Sequence, residues 1–314
     1  MTSAVSSGRA ATLHGRDRRT SATVFRREVR RNLNAHVFLI GAVLCFALFT
    51  WYPMIREIVM AFQQVHRGIT TAAGLENFRK VVNDPQFADA WKNTIEFTVL
   101  ALVLGFAAPF AVAVMINEFS HGQAYLRVLV YLPVMLPPIA GFLLFKYFYD
   151  PGYGLFDQVL HGLGLPTSPF LASRSSSMPS LVLVSTWANM GSGMLIYLAS
   201  LQGIPGELYE AAELDGAGLF RRIWHVTIPQ TRLILSLMLM LQVVATMQMF
   251  VESFVLTGGG PEDSTTTIVY LIYNYAFAFQ NGFNKAAAFG VMLLLVLGAF
   301  SGLYMWLERR GNED

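Results

Sequence analysis

The sequence holds a single cysteine, Cys45, so neither an internal disulfide framework nor a thiolate metal cluster can be built from it. Lying inside the first apolar run, Cys45 reads as a small apolar core residue. Charge is scarce too. Only 13% of the 314 residues are Asp, Glu, Lys or Arg, while 54% are hydrophobic, whereas a soluble domain carries about a quarter charged residues. That balance excludes an ordinary water-soluble globule and points to lipid. The lysines are Lys80, Lys92, Lys146 and Lys285, and none follows the glycine pattern of a phosphate-binding Walker loop, so nucleotide chemistry of that kind is not supplied by this chain. The histidines, His14, His36, His66, His121, His161 and His225, contain no His-x-x-x-His pair, and no metal site is expected. The net charge of +2 is not laid out as a basic stripe, and no nucleic-acid partner is expected.

What the sequence does have is long intervals without charge. They lie between Arg31 and Arg56, Glu96 and Glu118, Arg127 and Lys146, Arg174 and Glu207, Arg232 and Glu252, and Lys285 and Glu308. A spanning helix needs roughly 20 apolar residues, and a charge at mid-bilayer costs about 2.5 kcal/mol or more on insertion scales. The reading is an all-α integral membrane protein with about six transmembrane helices. The third interval is the shortest and contains Pro133, Pro137 and Pro138, which predicts a kinked helix supported by its neighbours.

The segment 1–34 is rich in arginine (Arg9, Arg16, Arg18, Arg19, Arg26, Arg27, Arg30 and Arg31), opposed only by Asp17 and Glu28. By the positive-inside rule it stays in the cytoplasm, and its composition is that of a disordered tail. Six spans return the C-terminal segment 309–314, with Arg309 and Arg310, to the same side. The first apolar run exceeds a signal-peptide core and is followed by Trp51, Tyr52 and Pro53 rather than a small-x-small cleavage site, so it reads as an uncleaved span. The domain reading is therefore a tail over 1–34, a first span with an extracytoplasmic loop over 35–92, a membrane core over 93–308, and the short C-terminal segment.

The most informative stretch is Ile204 to Pro229, IPGELYEAAELDGAGLFRRIWHVTIP, a charged helix-former between the fourth and fifth spans. Pro205 can open a helix, and Glu207, Glu210 and Glu213 suit the positive end of its dipole. Ala211 and Ala212 allow close approach to a partner, while Gly216 and Gly218 allow a sharp turn. Arg221 and Arg222 are free to face phosphate headgroups or a partner, and Pro229 is placed at the start of the next span. Glu210, Ala211, Ala212, Gly216 and the later Val226, Thr227, Ile228 and Pro229 fall at the spacing of a known signature. The stretch resembles the EAA motif of permease subunits in binding-protein-dependent ATP-binding-cassette importers, with Val226 and Ile228 as conservative departures. A second segment, Leu256 to Tyr275, LTGGGPEDSTTTIVYLIYNY, is similar to the region before the last span in carbohydrate permeases of the maltose and glycerol-phosphate type, in particular the first of the permease pair. Asn93 and Thr94, and the segment Phe283 to Ala288, fit the same family.

The resemblance implies a type I importer transmembrane domain with a cytoplasmic coupling helix between spans four and five. It implies a second homologous permease, two ATPase subunits carrying ATP and Mg, an extracytoplasmic solute-binding protein, and a bacterial or archaeal plasma membrane. Glu207, Glu210, Ala211, Ala212, Asp215, Gly216 and Pro229 are the expected ATPase-coupling residues, and Gly258, Gly259, Gly260 and Pro261 the expected loop toward the binding protein. No cofactor and no catalytic residue is expected on this chain.

Polar residues inside spans are costly in lipid and tend to face a cavity or a partner helix. In the fifth span Gln242, Thr246 and Met249 recur at helical spacing, with Gln248 and Glu252 beside them, and in the fourth Trp187, Asn189 and Ser192 lie close together. These are the candidates for the substrate pathway, with interhelical hydrogen bonding as the competing use. Neither segment contains an internal Lys or Arg, which favours a neutral sugar or oligosaccharide. The docking signature is shared by permeases for glycerol phosphate, amino acids and peptides. A secondary transporter would call for inverted repeats and an intramembrane charge, and an intramembrane enzyme for a nucleophile with its base. None of these stands out in the sequence.

Overall fold

A computed structural model describes residues 39–66, 69–119, 121–279 and 282–311. The arginine-rich tail 1–34 lies outside the described residues. The charge-free intervals fold into helices because a backbone in hydrocarbon must satisfy every N–H and C=O internally. Five described helices are long and apolar enough to cross a membrane. They are α1 (Leu39–Ala61), α3 (Phe87–Glu118), α7 (Arg174–Leu201), α9 (Leu219–Thr246) and α11 (Phe283–Arg310). The bent pair α4 (Gln123–Met135) and α5 (Pro138–Phe148), which meet at 94°, is long and apolar enough only when the two are taken together as one broken span. The break falls at Leu136 and Pro137, where the backbone is extended. Pro137 and Pro138 lack amide protons, which makes the expected kink a full interruption.

Shorter elements decorate this frame. They are α2 (Glu76–Val82), α6 (Leu155–Gly162), α8 (Gly206–Leu214) and α10 (Ile268–Ala278). An antiparallel hairpin, β1 (Gln63–His66) with β2 (Ile69–Ala72), pairs Gln63 with Ala72 and Val65 with Thr70. It adds a small sheet to an otherwise helical chain.

The chain divides into two compact units, one through Val59 and one from Met60 onward. In the first, no residue of Leu39–Val59 is buried. Cys45 is accordingly exposed on α1, not packed in a core as its apolar setting suggests. In the second, the hairpin and α2 pack with the core helices. Asn77 Nδ2 donates to the carbonyls of Ala61 and Gln63 at 2.8 Å each, and Asn284 Nδ2 to the Met60 carbonyl at 3.0 Å. The contacts therefore group residues 60–92 with the helices that follow them.

Two apolar clusters flank α7 in the second unit. One joins Phe97 and Ala101 of α3 and Phe142 of α5 to Leu181 and Val184 of α7 and to Val255 and Leu256. The other joins Ala113 and Ile116 of α3 to Met194, Tyr197 and Leu201 of α7, with Leu235 and Met238 of α9 against them. Lipid tails are as apolar as leucine, so these clusters gain mainly from close packing, and interhelical polar contacts select the arrangement. Asn93 at the head of α3 donates to the carbonyls of Asp263 and Thr266 at 2.8 and 2.9 Å, and Thr94 Oγ1 accepts the Ile268 amide at 3.1 Å.

Candidate functional site

Between the two apolar clusters lies a cavity of about 440 Å³, walled by α3, α7, α9 and the link that follows α9. Its size falls in the range of small-molecule sites. Seven of the residues expected along a solute path line it: Asn189, Ser192, Gln242, Thr246, Gln248, Met249 and Glu252. Trp187 does not. On a helix, residue 187 points away from the face shared by 185, 189 and 192, and the indole instead packs on Phe145 with ring centroids 4.7 Å apart. Phe250 supplies an aromatic surface.

α9 ends at Thr246, so Met249 is not the next turn of a continuous helical face. The Thr246 hydroxyl donates back to the carbonyls of Gln242 and Val243 at 2.8 and 3.2 Å, a local bond that competes with helix continuation. Tight turns follow, from the Gln248 amide to the Ala245 carbonyl and from the Met249 amide to that of Thr246. The Met249 carbonyl accepts the Thr267 hydroxyl at 2.9 Å. This unwound link carries Gln248 and Met249 to the cavity, and Glu252 follows on the helical turn that resumes after it.

Among the lining residues that escaped the sequence reading, Ser185, Thr186 and Gly105 bear most on the cavity's polar groups. Ser185 donates to Glu252 Oε1 at 2.7 Å, fixing the carboxylate, and its carbonyl accepts Asn189 Nδ2 at 2.9 Å. Its position four residues before Asn189 on the same face was the available signal. Thr186 and Gly105 also line the cavity. A Cβ on Gly105 would meet Gln242 Nε2 at 2.8 Å, so the glycine lets that amide lie against the α3 backbone. The arrangement offers hydroxyls and amides, each with hydrogen-bonding capacity beyond its internal bond, beside the aromatic rings of Phe97, Tyr197 and Phe250 and the Glu252 carboxylate.

The segment between α7 and α9 folds as a short exposed helix, α8, with Pro205 as its N-terminal flank. Glu207, Glu210, Ala211 and Asp215 are exposed and Ala212 is half-buried. Gly216 ends α8 at φ +75°, with its amide on the Glu213 carbonyl and the Ala217 amide on that of Ala212. This is a left-handed helix stop, which a side chain disfavours. Pro229 lies in the first turn of the α-helical stretch Ile228–Thr246, as expected, but helical structure already runs into it from Leu219, so α9 is continuous through the proline. A π-helical turn over Ile223–Thr227 precedes the proline and accommodates its missing donor.

Arg222 is not free for headgroups. Its guanidinium pairs with Glu213 of α8 and with Glu118 at the end of α3, the latter at 3.1 Å, and its side chain is only 15% exposed. Arg221 is exposed. Tyr209 Oη lies 3.1 Å from Thr227 Oγ1. The Glu118 contact spans 104 residues and left no pattern in the sequence.

Gly258, Gly259, Gly260 and Pro261 form a loop braced from within. Thr265 Oγ1 donates to the Gly260 carbonyl at 2.8 Å, Thr266 Oγ1 to that of Gly259 at 3.2 Å, and Ser253 Oγ to that of Thr265 at 2.6 Å. Gly259 is buried, so the accessible part of the loop is Gly258 with Glu262 and Asp263. Nearby, Asp84 is buried, accepts from Lys285 and Tyr275, and takes the Gln86 amide at 2.8 Å. Burial pushes its carboxyl up, but the hydrogen bonds from Lys285, Tyr275 and the amide, with the lysine charge, outweigh this and hold it below the ordinary carboxylate range. Among the described residues no group of His, Cys, Asp and Glu is placed to hold a metal ion.

Long apolar helices enclosing a cavity with several polar side chains, and a charged helix projecting between two of them, define an integral membrane protein. The chain belongs to the family of binding-protein-dependent transport system inner membrane components, whose model matches residues 105–312; it is a permease subunit of an ABC importer. It is 30% identical over 284 residues to the arabinooligosaccharides transport system permease protein AraP of Halalkalibacterium halodurans, covering 88% of this chain and 89% of that one. It is 29% identical over 283 residues to the sn-glycerol-3-phosphate transport system permease protein UgpA of Pectobacterium atrosepticum, covering 88% and 95%. A chain in the crystal structure of a bacterial alginate ABC transporter, in complex with an alginate pentasaccharide-bound periplasmic protein, superposes with a TM-score of 0.80. It shares 26% identity, over 90% of this chain and 96% of that one.

Proposed function

We propose that this permease imports a sugar or oligosaccharide and forms half of its path. The observation that carries the reading is the cavity: hydroxyls and amides from α7, α9 and the unwound link face one space beside Phe250, which is the chemistry that replaces the hydration of a polyol. The arabinooligosaccharide and alginate relatives support a glycan cargo. The glycerol-phosphate relative favours a second reading, a phosphorylated polyol.

In this reading both termini lie in the cytoplasm of a bacterium or archaeon, and α8 is the coupling helix, seated in a cleft of a separate ATPase that carries ATP and Mg. A second homologous permease completes the path, two ATPase subunits drive it, and a binding protein docks on the opposite face against the Gly258–Pro261 loop. Closure of the ATPases displaces α8. Arg222 passes that displacement to Glu118 and so to α3, whose Phe97, Ala101, Gly105 and Pro109 wall the cavity. Alternation between two arrangements then follows from the different contacts α8 makes in each. The test is uptake by proteoliposomes holding the complete transporter. Labelled oligosaccharide should accumulate only with ATP inside and binding protein outside, and accumulation without either would contradict the proposal.

A further inference from the structure

We propose that the cavity selects against anionic solutes and that Glu252 sets this selectivity, so that the cargo is an uncharged or amine-bearing glycan and neither a sugar phosphate nor a uronate. The inference rests on the reading of the cavity as the solute path. Among the described residues Glu252 is the one charged side chain that lines it, and no described Lys, Arg or His does. The Glu252 side chain is held in place by Ser185 Oγ, which donates to its Oε1 at 2.7 Å. The basic side chain near this wall, Lys146, lies off the cavity and spends its ammonium on the Val255 carbonyl at 3.2 Å. A phosphate or carboxylate entering here would lose hydration and meet a fixed negative charge with no counter-ion on this wall, whereas hydroxyls find amide and hydroxyl partners and an ammonium finds Glu252. Within a family whose relatives include a glycerol-phosphate permease and an alginate transporter, this wall separates the chain from both of those cargoes.

The test reads the field directly, without knowledge of the cargo. In a Cys45→Ser background, Ser192→Cys and, separately, Gln248→Cys place one thiol on the cavity wall of the purified transporter. Its reaction rates with a cationic and an anionic methanethiosulfonate of similar size are divided by their rates with a simple thiol in solution. The cationic reagent should be favoured on the order of tenfold. Glu252→Gln should remove most of that preference, and Glu252→Ser serves in its place if the amide variant does not assemble. Labelling without a cationic preference, or a preference unchanged by loss of Glu252, would overturn the assignment to Glu252 while leaving the glycan-import reading intact. Failure of both reagents at both positions would instead show that solvent does not enter this space, which overturns the cavity as the path and the selectivity with it.

Discussion

Asp84 anchors a buried electrostatic cluster in the second unit. Its side chain is 1% exposed and is shared by Lys285 at the head of α11 and Tyr275 of α10, with the lysine ammonium also 4.1 Å from the tyrosine ring centroid. A carboxyl held below its ordinary value stabilises the fold above that value, and the contribution fades as pH falls through the depressed one. The intact protein should therefore lose this support only below the ordinary carboxylate range. Lys285→Met removes the cation and leaves a buried charge, which should cost on the order of 3 kcal/mol. Burial then dominates and raises the carboxyl, so protonation relieves the buried charge and the deficit of the variant relative to the parent should shrink as pH falls through the carboxylate range. Thermal melting in detergent across a pH series checks both, and Asp84→Asn combined with Lys285→Met should recover part of the loss, because the pair is coupled. Nothing in the sequence marked this cluster, since Asp84 and Lys285 are 201 residues apart. The cavity residues were more legible, because a polar side chain on an apolar helix stands out. Trp187 misled because closeness along the chain was read as a shared face. Ser185 was missed because a lone serine is unremarkable in a membrane helix.

At the scale of elements, the charge-free intervals located every crossing helix among the described residues, while the interruptions within and between them depended on local chemistry. The α4–α5 bend follows from Pro137 and Pro138 and was legible as a kink. The end of α9 at Thr246 was not, because a back-bonding hydroxyl and a carbonyl captured by Thr267 decide it. The α8 segment was legible as a helix with a glycine stop, but its attachment through Arg222 was not. Two predictions belong here. Gly216→Val forces a branched side chain into φ +75°, with a strain of about 1–3 kcal/mol at that position. The spans should still insert, yet ATPase recovery with the purified complex should fall several-fold, and normal transport by the variant would count heavily against α8 as the coupling helix. Arg222→Gln should leave the complex assembled with substantial ATPase activity but reduce uptake per ATP hydrolysed roughly tenfold, since the link to α3 is lost. Exchanging the charges, Glu118→Arg with Arg222→Glu, should restore part of the coupling, measured as the ratio of uptake to hydrolysis in proteoliposomes.

For the molecule as a whole, the sequence was sufficient for the class, because a lipid environment imposes strong and simple rules on composition and the EAA spacing is specific. The cargo was less legible, since it depends on side chains brought together from α3, α7, α9 and an unwound link. The central claim is that this chain is one membrane subunit of an ATP-driven importer. Affinity purification of the tagged full-length chain from its native membrane in mild detergent, followed by mass spectrometry of what accompanies it, tests that claim most directly. A homologous permease and a Walker-loop ATPase in stoichiometric amounts are the predicted companions. Recovery of this chain alone, stable and able to carry solute in proteoliposomes without ATP, would contradict the account.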